Sequence, residues 1–187
     1  MKLLFFDFET TGLDHRIHAP HELSIILEYG DKLIKKSFFF RPFKGALFTQ
    51  KALEIGCVTI EQLKGYEKES NVFKELVSFL DEHIEKWNKQ DKAMLIGFKN
   101  ASFDDFWMRE LFERNHNKFF GSYFRNATID CSALAANHLR KRMHKMKNFK
   151  LVTVAKELGI KVDENKLHKA DYDTELTRFI YRKINNL

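Results

Sequence analysis

The strongest constraint on this chain lies at its start. Lys2-Leu3-Leu4-Phe5-Phe6-Asp7-Phe8 is a short, almost continuously apolar run closed by Thr11-Gly12. Such a run reads as a buried strand, too short for a core helix. Asp7 and Glu9 interrupt it two positions apart. Side chains alternate along a strand, so the two acids share the face of Leu3 and Phe5, about 7 Å from each other. A carboxylate at the end of a core-facing row is costly, and two repel each other. A divalent cation removes both costs. A strand that has simply reached solvent by Asp7 fits this segment equally well.

The rest of the pattern is mixed. Residues 22–29 and 32–40 read as strands joined by the two-residue turn Gly30-Asp31, an antiparallel hairpin. Residues 70–87 carry Val72, Phe73, Leu76, Phe79, Leu80, Ile84 and Trp87 at helical spacing. Ala93 to Phe98 is a further short apolar strand, followed by a helix over 102–114. Residues 130–142 and 149–158 read as helices, the second capped by Gly159, and a last helix spans 170–185. Strands first and helices later give an α/β sheet with helices packed against it. With 187 residues, the chain is expected to form one domain, 1–187. Most of its 19 phenylalanines are expected in the core. No internal repeat and no Gly-rich phosphate loop is present.

Composition excludes several classes. Cys57 and Cys131 form no Cys-x-x-Cys pair and read as two reduced, buried thiols. The apolar start meets Asp7 and Glu9 too early for a signal peptide, and no stretch is long enough to span a membrane. The expectation is a soluble, cytoplasmic protein. The net charge of +6 suits a polyanionic partner, and the excess is local. Between Cys131 and Lys156 there is no acid, while Arg140, Lys141, Arg142, Lys145, Lys147 and Lys150 lie in that stretch.

Two further segments carry notable acids. Asp104 in Asn100-Ala101-Ser102-Phe103-Asp104 opens a helix, where the helix dipole alone would favour an acid. Asp173 lies on the final helix in line with Leu176 and Ile180, and an acid on an apolar stripe needs a partner or a metal. His168, five residues earlier, is placed in the loop entering that helix, free to swing toward a substrate or to be an ordinary surface histidine.

In order and spacing the three segments resemble the motifs of the DEDDh, or DnaQ-like, 3′→5′ exonucleases. Asp7-x-Glu9-Thr10 resembles the first motif, Asn100-Ala-x-Phe-Asp104 the second, and His168-x-Ala170-x-x-Asp173 the third. Ala52-Leu53-Glu54-Ile55-Gly56 with Val58-Thr59, and Ile129-Asp130-Cys131, also look like the family, so the resemblance spans nearly the whole chain. One departure is visible: Phe98-Lys99 precede Asn100 where the family often has a histidine.

The resemblance implies an RNase H-like fold, with a mixed five-stranded sheet (one strand antiparallel) flanked by helices. It implies two Mg²⁺ or Mn²⁺ ions. Asp7 would bridge them, Glu9 and Asp173 would complete the site for the attacking water, and Asp104 would support the second ion. Hard oxygen ligands suit these ions, and no Cys/His cluster offers zinc an alternative. His168 would be the general base, since imidazole exchanges protons near neutral pH. Thr10, Leu13 and Asn100 would face the substrate, with Leu13 wedged against the terminal bases. Arg140, Lys141 and Arg142 are a candidate strand-binding surface, and Met143, Met146 and Phe149 either stack on bases or anchor that stretch to the core.

The expected activity is release of nucleoside 5′-monophosphates from single-stranded DNA ends, with an exoribonuclease or oligoribonuclease as the alternative. A catalytically silent nucleic-acid-binding module is the reading from another class. All four acids and the histidine are present, which disfavours it. A polymerase partner is compatible with the family, but the chain stops at Leu187 without a tail to reach one, so a stand-alone enzyme is expected.

Overall fold

The computed structural model describes residues 1–187. In chain order the elements are β1 (Lys2–Thr10), β2 (Pro20–Tyr29), β3 (Lys32–Arg41), α1 (Gln50–Ile55), α2 (Ile60–Gly65), β4 (Glu67–Lys68) and α3 (Glu69–His83). Then follow β5 (Ala93–Gly97), α4 (Asp104–Arg114), α5 (Phe120–Tyr123), β6 (Phe124–Asp130), α6 (Cys131–Leu139), α7 (Leu151–Glu157) and α8 (Ala170–Asn185). The strands form one sheet in the order β4-β3-β2-β1-β5-β6. β2 alone runs against its neighbours, and β1 pairs in parallel with β5, as β5 does with β6.

β1 is apolar on both rows because both faces of the sheet are covered. Leu4, Phe6 and Phe8 pack with α3 and α4 through Phe73, Leu76, Leu80, Trp107 and Leu111. Phe5 points the other way, onto Leu139, Val154, Leu176, Ile180 and Tyr181 of α6, α7 and α8. Phenylalanine fills both layers. Phe112, for example, meets Phe73 edge-on at 5.0 Å and touches Phe120, Tyr123 and Phe124. Each such ring taken from water contributes about 1.5–3 kcal/mol.

The sheet departs from the sequence reading at its edges. Five long strands are joined by a sixth of two residues, β4, beside β3. β6 carries no apolar alternation, because it pairs on one side only and most of its side chains are half-exposed or exposed. The helix expected over 70–87 ends at His83. Asp91 accepts the Glu85 amide at 2.8 Å and pairs with Lys2, turning the chain back toward β5. Ile84 stays buried in extended backbone, but Trp87 projects into solvent. The helix expected over 130–142 ends at Leu139, and Gly159 closes α7 at φ 73° as expected. Cys131 is buried, whereas Cys57 is exposed, contrary to the expectation of two buried thiols.

α8 lies across β1 and β2 and is pinned at one end by charge. Glu28 of β2 accepts from Arg178 at 2.6 Å and Arg182 at 2.5 Å, all three largely shielded from solvent. Charged hydrogen bonds in such surroundings are worth about 1.5–3 kcal/mol. Glu28→Gln is expected to lower unfolding stability by about 1–3 kcal/mol, read by urea denaturation. An unchanged midpoint would show that the ion pairs contribute nothing net.

Candidate active site

The site forms where β1, α4 and α8 bring their acids to one end of the sheet. Asp7 and Glu9 close the β1 row that begins with Leu3 and Phe5, on the α8 face. A β-bulge between Glu9 and Thr10 ends the regular pairing with β2. Such bulges re-aim the side chains beside them. Beyond it the chain is held by its own side chains. Thr10 donates to the Gly12 carbonyl at 2.7 Å, and Thr11 donates to the Leu47 carbonyl at 2.7 Å. The His18 ring lies so close over Gly12 that any Cβ there would fall 2.1 Å from it, so only glycine fits.

Asp104 arrives from the opposite layer. β1 pairs with β5 only as far as Phe5, which leaves the Phe8 amide beyond the ladder. The Asp104 carboxylate accepts that amide at 3.1 Å. Asn100 holds the connection between β5 and α4. It is fully buried and donates to Asp105 at 3.1 Å and to Thr128 at 2.6 Å. Its Cβ sits where Gly97 leaves room, since a Cβ on Gly97 would approach it to 2.5 Å. Asn100 was expected to face the substrate. Its burial and bonds make it a brace beneath the site.

Asp173 descends from the first turn of α8. One carboxylate oxygen each from Asp7, Glu9 and Asp173 lie within 4.8 Å of one another. The Asp173 Oδ1 atom is buried and has no hydrogen-bond partner. His168 precedes α8 with its backbone at φ 62°, the left-handed region, and its side chain is exposed. Its imidazole is near enough to Asp173 to favour the ionised carboxylate.

Burial and mutual repulsion act together on these acids. Asp7 is held well above the usual carboxylate range, by burial first and then by Asp104, Glu9, Asp173 and Glu22. Burial, then Asp173, pushes Glu9 up to about 8. Burial lifts Asp104 as well, while the Phe8 amide pulls it partly back. Asp173 is raised to about 6 by burial, against the pull of His168. A group of carboxylates that cannot ionise together, with an orphaned oxygen among them, fits divalent cations with oxygen ligands.

The sequence reading did not single out Glu22. It stands directly opposite Glu9 in the β1–β2 register and is raised to about 7 by burial, then by Asp171. The alternation of Glu22, Ser24, Ile26 and Glu28 against Leu23, Ile25 and Leu27 would have placed it on this face. Leu13 is expected to wedge against bases and is 83% exposed, free of the turn beside it. Arg140, Lys141 and Arg142 are exposed and form no ion pair. They lie past the end of α6, which leaves the acid-bearing end of the sheet and runs about 13 Å away from it. Met146 and Phe149 pack on the α8-side core and anchor this stretch, and Met143 is exposed.

Acids converging at one end of a mixed sheet, with a single reversed strand, define an RNase H-like nuclease fold. Exonuclease I of E. coli, in a zinc-bound complex with single-stranded DNA, superposes with a TM-score of 0.79 at 21% identity, covering 99% of this chain and 40% of that one. Ribonuclease T of Buchnera aphidicola is 28% identical over 96% of this chain and 82% of its own length. A PolC-type DNA polymerase III of Mycoplasmopsis pulmonis is 27% identical over 94% of this chain, which spans only 11% of that polymerase. The family model RNase_T, described as "Exonuclease", matches residues 4–181, and the chain belongs to that family. It is a 3′→5′ exonuclease of the DEDDh, DnaQ-like group, whose members use divalent metal ions.

The raised acids set a pH dependence. Unfolded carboxyls titrate near about 4, whereas Glu9 and Glu22 titrate at about 8 and about 7 in the fold. Between those values the folded chain holds more protons, so its stability falls as pH rises. Buried His21, lowered to about 4 by burial, acts oppositely, but only up to its unfolded value near about 6.5. In EDTA, the Tm is therefore expected to fall from about pH 6.5 to about pH 8. Mg²⁺ or Mn²⁺ should raise Tm, and more at the upper end. A flat profile with no response to either ion would rule out a cation site at these acids.

Proposed function

We propose that this chain removes nucleoside 5′-monophosphates from the 3′ ends of single strands in a metal-dependent reaction. The observation that carries the reading is the convergence of Asp7, Glu9 and Asp173 to within 4.8 Å, with Asp104 held behind them by the Phe8 amide. Asp7, Glu9 and Asp173 would hold Mg²⁺ or Mn²⁺, with Asp104 completing a second position. Such cations supply charge stabilisation for the attacking and leaving oxygens of a phosphodiester.

The protein's own groups divide the remaining work. His168 Nε2 or Nδ1 takes the proton of the attacking water. It is exposed, on a backbone at φ 62° just before α8, and close enough to act on Asp173. Asp173 lies close enough for the His168 side chain to pull its carboxyl down against the effect of burial. Leu13 packs against the terminal base, and the turn held by Thr10 and Thr11 positions it. The basic stretch around Arg140, Lys141 and Arg142 serves any bound strand at a distance from the acids, through its phosphates.

Single-stranded DNA, the expected substrate, draws support from the DNA-bound exonuclease I that shares the fold. RNA draws equal support from Ribonuclease T, most of whose length aligns with this chain. Matched 5′-labelled DNA and RNA strands separate the two. With Mg²⁺, ladders shortening from the 3′ end are expected, and Asp7→Asn should produce none. The DNA-to-RNA rate ratio assigns the substrate. His168→Ala is expected to lower kcat by about 10²–10⁴-fold without changing Tm. Cleavage by Asp7→Asn at the wild-type rate would refute the site.

A further inference from the structure

Two aromatic rings beside the site have no part in the chemistry above. His15, in the turn after β1, lies nearly parallel to Phe106 of α4, with centroids 5.4 Å apart and planes at 11°. Trp107, buried at the root of α4, meets His15 edge-on at 6.2 Å and Phe103 at 5.8 Å, and so backs His15 from within the fold. Phe106 is nevertheless 47% exposed. A ring this exposed gains little from the core, so core packing does not account for its place on α4.

The position of the pair is specific. His15 sits two residues beyond Leu13, and Phe106 two residues beyond Asp104. The stack therefore ties together the two segments that bring Glu9 and Asp104 to the site. On α4, two residues correspond to a rotation of about 200°, so Phe106 points away from the buried Asp104 carboxylate. A group bound at the stack would lie off the reacting phosphate, two residues along the turn from exposed Leu13.

We propose that the His15–Phe106 stack is a docking platform for one unpaired nucleobase of the strand being degraded, upstream of the scissile bond. The proposal rests on the exonuclease reading. A flat, partly exposed π surface accepts another flat π system, and stacking tolerates any base because every base has such a face. Because the platform stands clear of the acids, it acts on binding more than on turnover.

The test is a steady-state comparison of wild type, Phe106→Ala, Phe106→Tyr and His15→Ala on short single strands. The strands carry one abasic position moved stepwise from the 3′ end. Phe106→Ala is expected to raise KM about 5- to 100-fold, with a far smaller change in kcat, and Phe106→Tyr to restore KM. In wild type, one abasic position should raise KM, and that penalty should vanish in Phe106→Ala and shrink in His15→Ala. Melting curves confirm that each variant is folded. An unchanged KM in folded Phe106→Ala, or the same abasic profile in all four proteins, overturns the platform and leaves the exonuclease standing. A wild type that shortens no strand overturns the exonuclease reading itself, and the platform with it.

Discussion

Repulsion among carboxylates governs this molecule. Asp7, Glu9 and Asp173 are brought within 4.8 Å, and Asp104 and Glu22 add to the negative field around them. Left alone, such a group would hold protons or push its elements apart. The surrounding structure opposes this from three sides. The two hydrophobic layers fix β1 in the centre of the sheet, the Phe8 amide satisfies Asp104, and Glu28 clamps α8 through Arg178 and Arg182. The fold thus holds together acids that the same residues in a flexible chain would keep apart.

The scaffold achieves this with ordinary devices. Alternation on β1 sends Leu4, Phe6 and Phe8 to one layer and Phe5, Asp7 and Glu9 to the other. The end of the β5 ladder at Phe5 frees an amide at the position that Asp104 reaches. Asn100 fills the space over Gly97 and ties β5 to β6 through Thr128. Each is a local consequence of strand geometry or of a small residue, and together they set the distances between three segments remote in sequence.

Much of this was legible in the sequence, for physical reasons. β1, the β2–β3 hairpin and the stripes of α3, α4 and α8 are central elements, and burial writes a clear period into them. Asp7, Glu9 and Asp173 stood out because carboxylates on core-facing rows are anomalous, whereas Asp104, at an ordinary helix start, was singled out only by the resemblance of its segment to the second motif. What was hidden lies at edges and in partners. β6 is half exposed and so has no period, and the end of α3 is set by Asp91, eight residues past its last residue. Asn100 sits in the second motif, but its burial depends on Gly97 and Thr128, which no spacing rule links to it. Glu22 escaped notice because its neighbour Glu9 is fixed by strand register, a pairing that the sequence does not state.

The clamp on α8 has a mechanical consequence. Glu28 and Glu22 lie on the same row of β2, six residues or about 20 Å apart. The clamp grips α8 in its carboxyl-terminal half, whereas Asp173 rides on the first turn. The other end is held as well: Ala170 and Thr174 are fully buried and Glu175 pairs with Lys35 of β3, so Asp173 and the approach to His168 ride on a helix fixed along its length. The distance of Asp173 from Asp7 and Glu9 is therefore set by the same packing that holds the sheet, and the acids meet their charges on a stiff support.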